Sequence, residues 1–371
     1  MRIFLCIGTR PEAIKMLPLA LEIRKHASLE LKICHSGQHG KLADDVFDFF
    51  GIAADYRFNA MKKGQSLGEL TRRLLNYFDV VFERERPHLV LVHGDTTSAF
   101  CAALAAFYRG ISIAHVEAGL RTHNVRSPFP EEFNRVAIDS VADLHFAPTT
   151  LARKNLENEG KKGAITVGNT VIDALSYTLR DDYFSPVMDW IDGKKLVLLT
   201  THRRENLGER MHSALLGVRD ALTEASELFC LAPLHPNPRI RELAQDVFHD
   251  VKNIKICDPL SVCDFHNALS RSVAVVTDSG GIQEEASYLG VPIFVLRDST
   301  ERYEALELGN ARLVGTKREE VALKLLRALR NGEVLESMRK RSLVFGDGTA
   351  CEKIVKKLLC LSENGGIINM T

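Results

Sequence analysis

The sequence predicts an α/β protein made of two doubly wound parallel sheets, and three observations carry that expectation. Short apolar runs rich in β-branched residues alternate with segments of helical period along the chain, the pattern of parallel strands covered by helices on both faces. The cycle begins again near the middle, at "KLVLLTTH". The length of 371 residues exceeds one ordinary domain and suits two of about 150 to 200 residues each.

Taken in order, "RIFLCIG" is the opening strand and "PEAIKMLPLALEIRKH" its helix, with a proline suited to the first turn. Further strands follow at "LELKICHS", "HLVLVHG", "SIAHVE", "LHFAP" and "AITVG". The stretch "RDDYFSPVMDWIDGKK" has turn formers and no clear period, which places the domain boundary near residues 170 to 195. Strands then resume at "KLVLLTTH", "LFCLAPLH", "NIKICD", "VAVVTDS", "PIFVLR" and "ARLVG". A closing amphipathic helix is expected in "ACEKIVKKLLCLSENGG", followed by a loosely held tail, "IINMT". The expected domains are residues 1–175, bearing the acidic strand ends and joined by the C-terminal helix at 350–371, and residues 190–349. Two such sheets in tandem can bring the carboxyl ends of both strand sets to one central cleft, where ligands of such folds bind.

Composition narrows the function. Hydrophobic residues make up 45% and charged residues 26%, and Lys plus Arg equal Asp plus Glu at 48 each, so nothing advertises a nucleic-acid or membrane partner. The eight cysteines show no C-x-x-C pair and read as buried free thiols of a reducing compartment. Met1 leads straight into a strand, without a basic leader or an apolar stretch of about 18 residues. A cytoplasmic location is the expectation.

The strand ends carry the chemistry. In "VVTDSGGIQEEASYLG", Ser279, Gly280 and Gly281 lie where a strand turns into a helix. Backbone N–H groups at such a terminus, with no Cβ in the way, suit a phosphate or diphosphate; a turn needing glycine for its own geometry is the structural alternative. Glu284 and Glu285 favour the helix dipole there, and Glu285 is also placed to accept ribose hydroxyl protons. The first strand ends in "GTRPEAIK", which lacks the G-x-G-x-x-G of a dinucleotide site, so no NAD or flavin is expected. Arg10 and Lys15 bring two cations to that strand end. Asp95 in "HGDTTSA" lies just past the strand "LVLVH", Glu117 in "HVEAGLR" just past "SIAH", and Glu131 in "SPFPEEFNR" at the start of the next helix. Asp95 could be an N-cap and Glu131 a first-turn acid, but together the three suit proton transfer. His202, Arg203 and Arg204 in "TTHRRENLG" end the first strand of the second half. No His, Cys and Asp cluster has metal-ligand spacing, and no Asp-x-Asp occurs, so an obligatory metal is not expected.

These segments, together with "GQH", "GNTVIDAL", "LRDSTERYEA" and "LVGT", resemble in order the non-hydrolysing UDP-N-acetylglucosamine 2-epimerases of bacteria, from about residue 7 to about residue 316. The resemblance implies a GT-B fold of two Rossmann-like domains facing a central cleft. It implies that Arg10, Ser279, Gly280, Gly281 and His202 hold a UDP diphosphate, Glu285 the ribose and Phe265 the uracil. Lys15, Asp95, Glu117, Glu131 and His202 fall on catalytic positions, and Arg297, Asp298, Glu301 and Arg302 on the sugar side. Gln38 and His39 match an effector site for the same UDP-sugar, although Lys41 and Gly64 stand where some members carry other polar residues. Tyr303 and Phe129 depart from the usual proline and tryptophan. A homodimer is implied, as is reversible epimerisation at C2 of UDP-N-acetylglucosamine, supplying a sugar for surface polysaccharide.

Overall fold

The computed structural model describes residues 1–62, 64–201, 208–234 and 237–363. The chain divides into two compact units, one comprising Met1–Ala174 with the stretch from Gly346 onward, the other Leu175–Phe345.

The first unit runs β1 (Arg2–Ile7), α1 (Arg10–Arg24), β2 (Glu30–His35), α2 (Lys41–Phe49), β3 (Tyr56–Arg57), α3 (Leu67–Glu85) and β4 (Leu89–His93). It continues through α4 (Thr97–Tyr108), β5 (Ser112–Val116), α5 (Glu131–Val141), β6 (Leu144–Ala147), α6 (Thr150–Asn158) and β7 (Ile165–Thr166). The strands form one parallel sheet in the order β3-β2-β1-β4-β5-β6-β7. Sequence reading missed β3: its two residues pair with Cys34 and His35 at the sheet edge, too few to show an alternation.

Helix α7 (Thr170–Thr178) contains the division between the units. The second unit continues through α8 (Pro186–Ile191), β8 (Lys195–Thr200), α9 (Glu209–Glu224), β9 (Leu228–Pro233), α10 (Pro238–Phe248) and β10 (Ile254–Cys257). After these come α11 (Val262–Ser270), β11 (Ala274–Thr277), α12 (Gly280–Leu289), β12 (Ile293–Val295), α13 (Tyr303–Glu307), β13 (Ala311–Leu313), α14 (Arg318–Leu329) and α15 (Gly332–Met338). Its parallel sheet has the order β10-β9-β8-β11-β12-β13. Helix α8 corrects the reading of its stretch as turn formers without period. Ser185 caps it, accepting from the Met188 N–H at 3.3 Å, and Pro186 opens its first turn, a start signal that six residues are too few to reinforce with a period. Helix α16 (Ala350–Glu363) belongs to the first unit; the tail "IINMT" lies outside the described residues.

Each central strand is apolar on both sides. In β1, Ile3, Leu5 and Ile7 pack with α1, α2 and α16, where Cys351, Ile354, Val355 and Leu358 meet them, while Phe4 and Cys6 pack with α3 and α4. In β8, Val197 and Leu199 join α9, α10 and α14, and Leu196 and Leu198 join α8, α11 and α12. Burial on both faces explains why these strands read as continuous apolar runs. Asp173 in α7 fastens α16, its carboxylate accepting from the backbone N–H groups of Ala350 at 3.2 Å and Cys351 at 2.8 Å. The cysteines are free; five are buried, Cys257 and Cys263 half-buried, and Cys360 is exposed, so that last one departs from the expected pattern. Among the described residues no helix is long and apolar enough to cross a membrane.

Both sheets reverse strand order beside their first strand, between β1 and β4 in one unit and between β8 and β11 in the other. The carboxyl ends of strands flanking such a reversal are where doubly wound sheets bind ligands. Arg10 and Asp95 follow β1 and β4, and Ser279 to Gly281 follow β11.

Candidate active site

In the first unit the β1–α1 turn is built around a buried acid. Thr9 caps α1 in a reciprocal box with Glu12. The Glu12 carboxylate accepts from Gly8 N at 3.0 Å, Thr9 N at 2.6 Å, Thr9 Oγ1 at 2.7 Å and Thr96 Oγ1 at 2.8 Å. Burial pushes this acid up and the donors pull it back, leaving it at about 7. Glu12 thereby ties the turn bearing Arg10 to the loop bearing Asp95.

Lys15, one turn into α1, does not sit unpaired at a helix start. It forms a buried ion pair with Glu117, so a carboxylate of the protein already offsets its charge. Glu117 follows β5 with φ at +66°, the left-handed region that an ordinary side chain occupies only where its surroundings impose it. Its Oε2 also accepts from Asn169 Nδ2 at 2.6 Å and lies 3.4 Å from His93 Nε2. Burial pushes the His93 imidazole down, against the pull of Glu117, which favours its neutral form.

Asp95 leaves β4 and is not the cap of α4; that position belongs to Thr96, whose hydroxyl accepts from Ala99 N at 3.0 Å. The Asp95 carboxylate takes two donors from one guanidinium, Arg135 Nε at 3.1 Å and Nη2 at 2.5 Å. The third nitrogen, Arg135 Nη1, holds Glu132 at 3.0 Å. Glu132 in turn receives Thr122 N and His123 N at 2.8 and 2.9 Å, folding the loop before α5 onto that helix. Of the adjacent acids opening α5, Glu132 is therefore buried framework and Glu131 is half-buried.

Behind these loops lies a charge cluster in which His115, Asp139 and Arg121 are buried and Glu159 is exposed. His115 faces acceptors on both ring nitrogens, Asp139 Oδ1 at 2.6 Å and Gly94 O at 2.7 Å. Asp139 also takes Arg121 Nη2 at 2.8 Å and Gly119 N at 3.2 Å, and Arg121 reaches Glu159 at 2.7 Å. Burial would raise Asp139, but His115 and Arg121 hold it down at about 2. Through these contacts His115 and Asp139 fix Gly94, beside Asp95, and Gly119, two residues beyond Glu117.

Gln38 and His39 touch the same turns. Gln38 Oε1 accepts from Ser98 N at 3.2 Å and Ser98 Oγ at 2.7 Å, and His39 Nδ1 accepts from the Arg10 backbone N–H at 3.3 Å.

In the second unit the ends of β8 and β11 are joined by Thr200 and Thr277 hydroxyls 2.7 Å apart and by Thr201 Oγ1 donating to Asp278 at 3.0 Å. His202, Arg203 and Arg204, which follow, lie outside the described residues. Ser279 stands at the N-cap of α12 without capping it through its side chain. The two glycines after it differ. A Cβ on Gly280 would meet Glu301 Oε1 at 2.9 Å and the Arg302 Cζ at 3.1 Å, whereas one on Gly281 would have no atom of the described residues within 4 Å. Gly280 therefore makes room for the protein itself, and Gly281 leaves open space in front of a helix N-terminus.

The atoms pressing on Gly280 belong to a buried lattice of charges. Arg302 binds Glu284 at 2.7 Å and Glu301 at 3.1 Å, and Arg297 binds Glu301 at 2.7 Å. Thr300 donates to Gln283 Oε1 at 2.9 Å, and Gln283 Nε2 donates to Ser279 O at 3.1 Å. Three of the four sugar-side candidates thus buttress the turn, while Asp298 lies at the surface, 3.7 Å from Arg210. Glu285 is buried with its Oε2 3.5 Å from His266 Nε2, and His266 Nδ1 is 2.7 Å from Thr178 Oγ1. Phe265, next to His266 on α11, is partly buried against the core.

Sequence reading did not single out Glu12, Asn169, Arg135 or His266. Arg135 had a signal, its spacing of three from Glu132 on a helix; Asn169 stood in "GNT" just before a helix. Pairing across more than 50 positions, as between Asn169 and Glu117, leaves no trace in a single sequence.

Residues 21–359 match the sequence profile of the family described as UDP-N-acetylglucosamine 2-epimerase. The UDP-N-acetylglucosamine 2-epimerase of Bacillus subtilis is 45% identical over 361 residues, 97% of this chain and 95% of that one. The solved UDP-GlcNAc 2-epimerase of Neisseria meningitidis, bound to UDP-GlcNAc, superposes with a TM-score of 0.93 at 40% identity, covering 97% of this chain and all of the other. That of Methanocaldococcus jannaschii, in complex with UDP-GlcNAc and UDP, gives 0.88 at 32% identity, with coverage of 97% and 100%. On the strength of a match through both doubly wound units, this chain belongs to the UDP-N-acetylglucosamine 2-epimerase family.

Proposed function

We propose that the protein interconverts UDP-N-acetylglucosamine and UDP-N-acetylmannosamine by eliminating UDP and adding it back, without NAD and without an obligatory metal. The observation that carries this reading is the pairing of two strand-end carboxylates with fixed cations, Glu117 with Lys15 and Asp95 with Arg135, in a chain that also carries an open glycine turn at a helix N-terminus.

The C2 proton of an N-acetylhexosamine has no neighbouring carbonyl to acidify it, so direct removal faces a very high barrier. Breaking the C1–O bond as a base takes that proton lets cationic charge develop at C1 and leaves a C1=C2 double bond in a 2-acetamidoglucal. UDP departs as the anion; its oxygen then returns to C1 as a proton is delivered to the opposite face of C2. A carboxylate paired with Lys15 or Arg135 suits the base and also stabilises the developing cation. Glu131, half-buried at the start of α5, completes the proton-handling set. Arg10, His202, Ser279 and the N–H groups of Gly280 and Gly281 are assigned to the diphosphate, Glu285 to the ribose and Phe265 to the uracil. Cytoplasmic synthesis of a sugar for surface polysaccharide, by a homodimer responding to its own substrate at Gln38 and His39, is the setting we assign to it.

Proton NMR of the protein with UDP-N-acetylglucosamine in D2O tests the reading. UDP-N-acetylmannosamine appearing with deuterium at C2 is the expected result. Free N-acetylmannosamine with UDP would replace it with a hydrolysing enzyme. Binding without exchange would point to a modified UDP-sugar or to a sensor. Glu117→Gln is expected to lower turnover at least about a hundredfold while UDP affinity stays within a few-fold, because the lost charge acts on the reacting sugar.

A further inference from the structure

We propose that Asn169 is a positioning residue for this reaction, holding the Glu117 carboxylate in line while Lys15 supplies its counter-charge. The inference rests on the epimerase reading above and adds a residue to it.

Asn169 is 2% exposed and stands immediately before α7. Its side chain has two ends with different tasks. Oδ1 accepts from Val171 N at 3.0 Å, and the backbone carbonyl accepts from Ile172 N at 3.0 Å, so Asn169 acts as the cap of α7. With the oxygen committed there, the amide nitrogen is the end turned to Glu117, which it meets at 2.6 Å. Lys15 reaches the same oxygen from a long flexible stem, whereas Asn169 is short and fastened at its other end. The lysine thus sets charge and the amide sets direction. Glu117 needs such a restraint because it lies past the end of β5 with φ at +66°, where no strand pairing fixes the course of its side chain. Among the described residues, titratable groups facing it include Lys15 from α1 and His93 at the end of β4. His115, on its own strand, is turned to Asp139 and Gly94.

Asn169→Asp separates the two tasks. Aspartate caps a helix about as well as asparagine, so α7 keeps its start, but the donor to Glu117 becomes a second carboxylate at hydrogen-bonding distance. Two such groups share a proton, and their titration moves upward as a pair. The test compares wild type, N169D and N169A in the full chain by C2 deuterium exchange into UDP-N-acetylglucosamine across pH, with UDP affinity and melting temperature measured alongside.

N169D is expected to melt within a few degrees of wild type and to bind UDP within about threefold. Its kcat at pH 7 should fall about tenfold or more, with the acidic limb of the pH–rate profile raised by at least about one unit and activity recovering as pH rises. N169A, which loses cap and donor together, should lower both kcat and melting temperature without raising that limb. If N169D does not fold, N169S, which keeps a capping oxygen but cannot reach Glu117, should lose kcat with an unmoved limb. A folded N169D with wild-type kcat and acidic limb overturns the proposal, as do losses in all variants that merely track melting temperature. Absence of exchange in wild type overturns the epimerase reading itself, and this inference with it.

Discussion

The two glycines of the "SGG" turn give the sharpest forecast, because adjacent residues of one type are expected to respond in opposite ways to the same added methyl group. In helix α12, Gly281→Ala adds a Cβ with no atom of the described residues within 4 Å. It also replaces the poorest non-proline helix former by the best, a gain of up to about 1 kcal/mol. Gly280→Ala carries the same propensity gain but forces its Cβ to 2.9 Å from Glu301 Oε1 and 3.1 Å from the Arg302 Cζ. Those groups are held by Glu284 and Arg297 and cannot swing aside without breaking buried ion pairs. Overpacking costs about 1 to 3 kcal/mol, which outweighs the propensity gain. In thermal melts without ligand, the Gly281→Ala variant should therefore unfold a few degrees above wild type and the Gly280→Ala variant below it, at roughly 2 to 4 °C per kcal/mol. Saturating UDP raises the melting temperature of whatever binds it, and here the order should change. The Gly281→Ala variant should lose most of the UDP-induced rise, because its methyl group occupies the space assigned to phosphate. A full UDP-induced rise in that variant would refute the phosphate assignment, and a Gly280→Ala variant as stable as wild type would refute the packing argument.

Two other perturbations test the carboxylate framework. Asp139, held at about 2 against an ordinary 3.8, contributes stability that is present above about pH 4 and lost as pH falls through about 2. Urea unfolding followed against pH should show this as roughly 2 kcal/mol in the acid limb. Asp139→Asn should flatten that limb and destabilise the protein by about 3 to 5 kcal/mol at pH 7, since Arg121 loses a buried counter-charge; an unchanged limb would remove Asp139 from the account. Arg135→Lys replaces a fork holding Asp95 and Glu132 by a single ammonium. Losing one charge-assisted hydrogen bond, about 1.5 to 3 kcal/mol, should lower kcat about ten- to a hundredfold with UDP affinity unchanged. A wild-type kcat would show that Asp95 needs no guanidinium.

The strands were legible because their side chains are apolar on both faces; a run such as "KLVLLT" has few alternatives. Tyr56–Arg57 was not, since an edge strand of two residues is fixed by its neighbour's free backbone groups and not by its own pattern. Helix α8 shows the same limit from the other side: its cap is written in Ser185 and Pro186, its body is too short to declare a period. For the site, Glu117 stood out because a carboxylate directly after a buried strand and before "AGLRT" has no local task, and Asp95 and Arg10 because they end neighbouring strands. What they bind did not, because Lys15 meets Glu117 and Arg135 meets Asp95 only once the sheet has ordered its strands. The distinction between Gly280 and Gly281 was equally out of reach, since it depends on Glu301 and Arg302, some twenty residues further on.

The sheet of the first unit is closed by a helix that lies beyond the whole of the second in the chain, and this has a consequence during synthesis. After residue 174 leaves the ribosome, about 170 residues of the other unit must be made before α16 can emerge, a delay of roughly 10 to 35 s at about 5 to 20 residues per second. Throughout that interval the face of α1 and β1 that α16 covers stays wet, and Asp173 has no helix to fasten. The second unit, continuous in sequence, can fold while the first is still waiting. In the growing chain, the unit begun first is thus the one finished last, and its unfinished apolar face is the natural place for a chaperone to bind a nascent molecule.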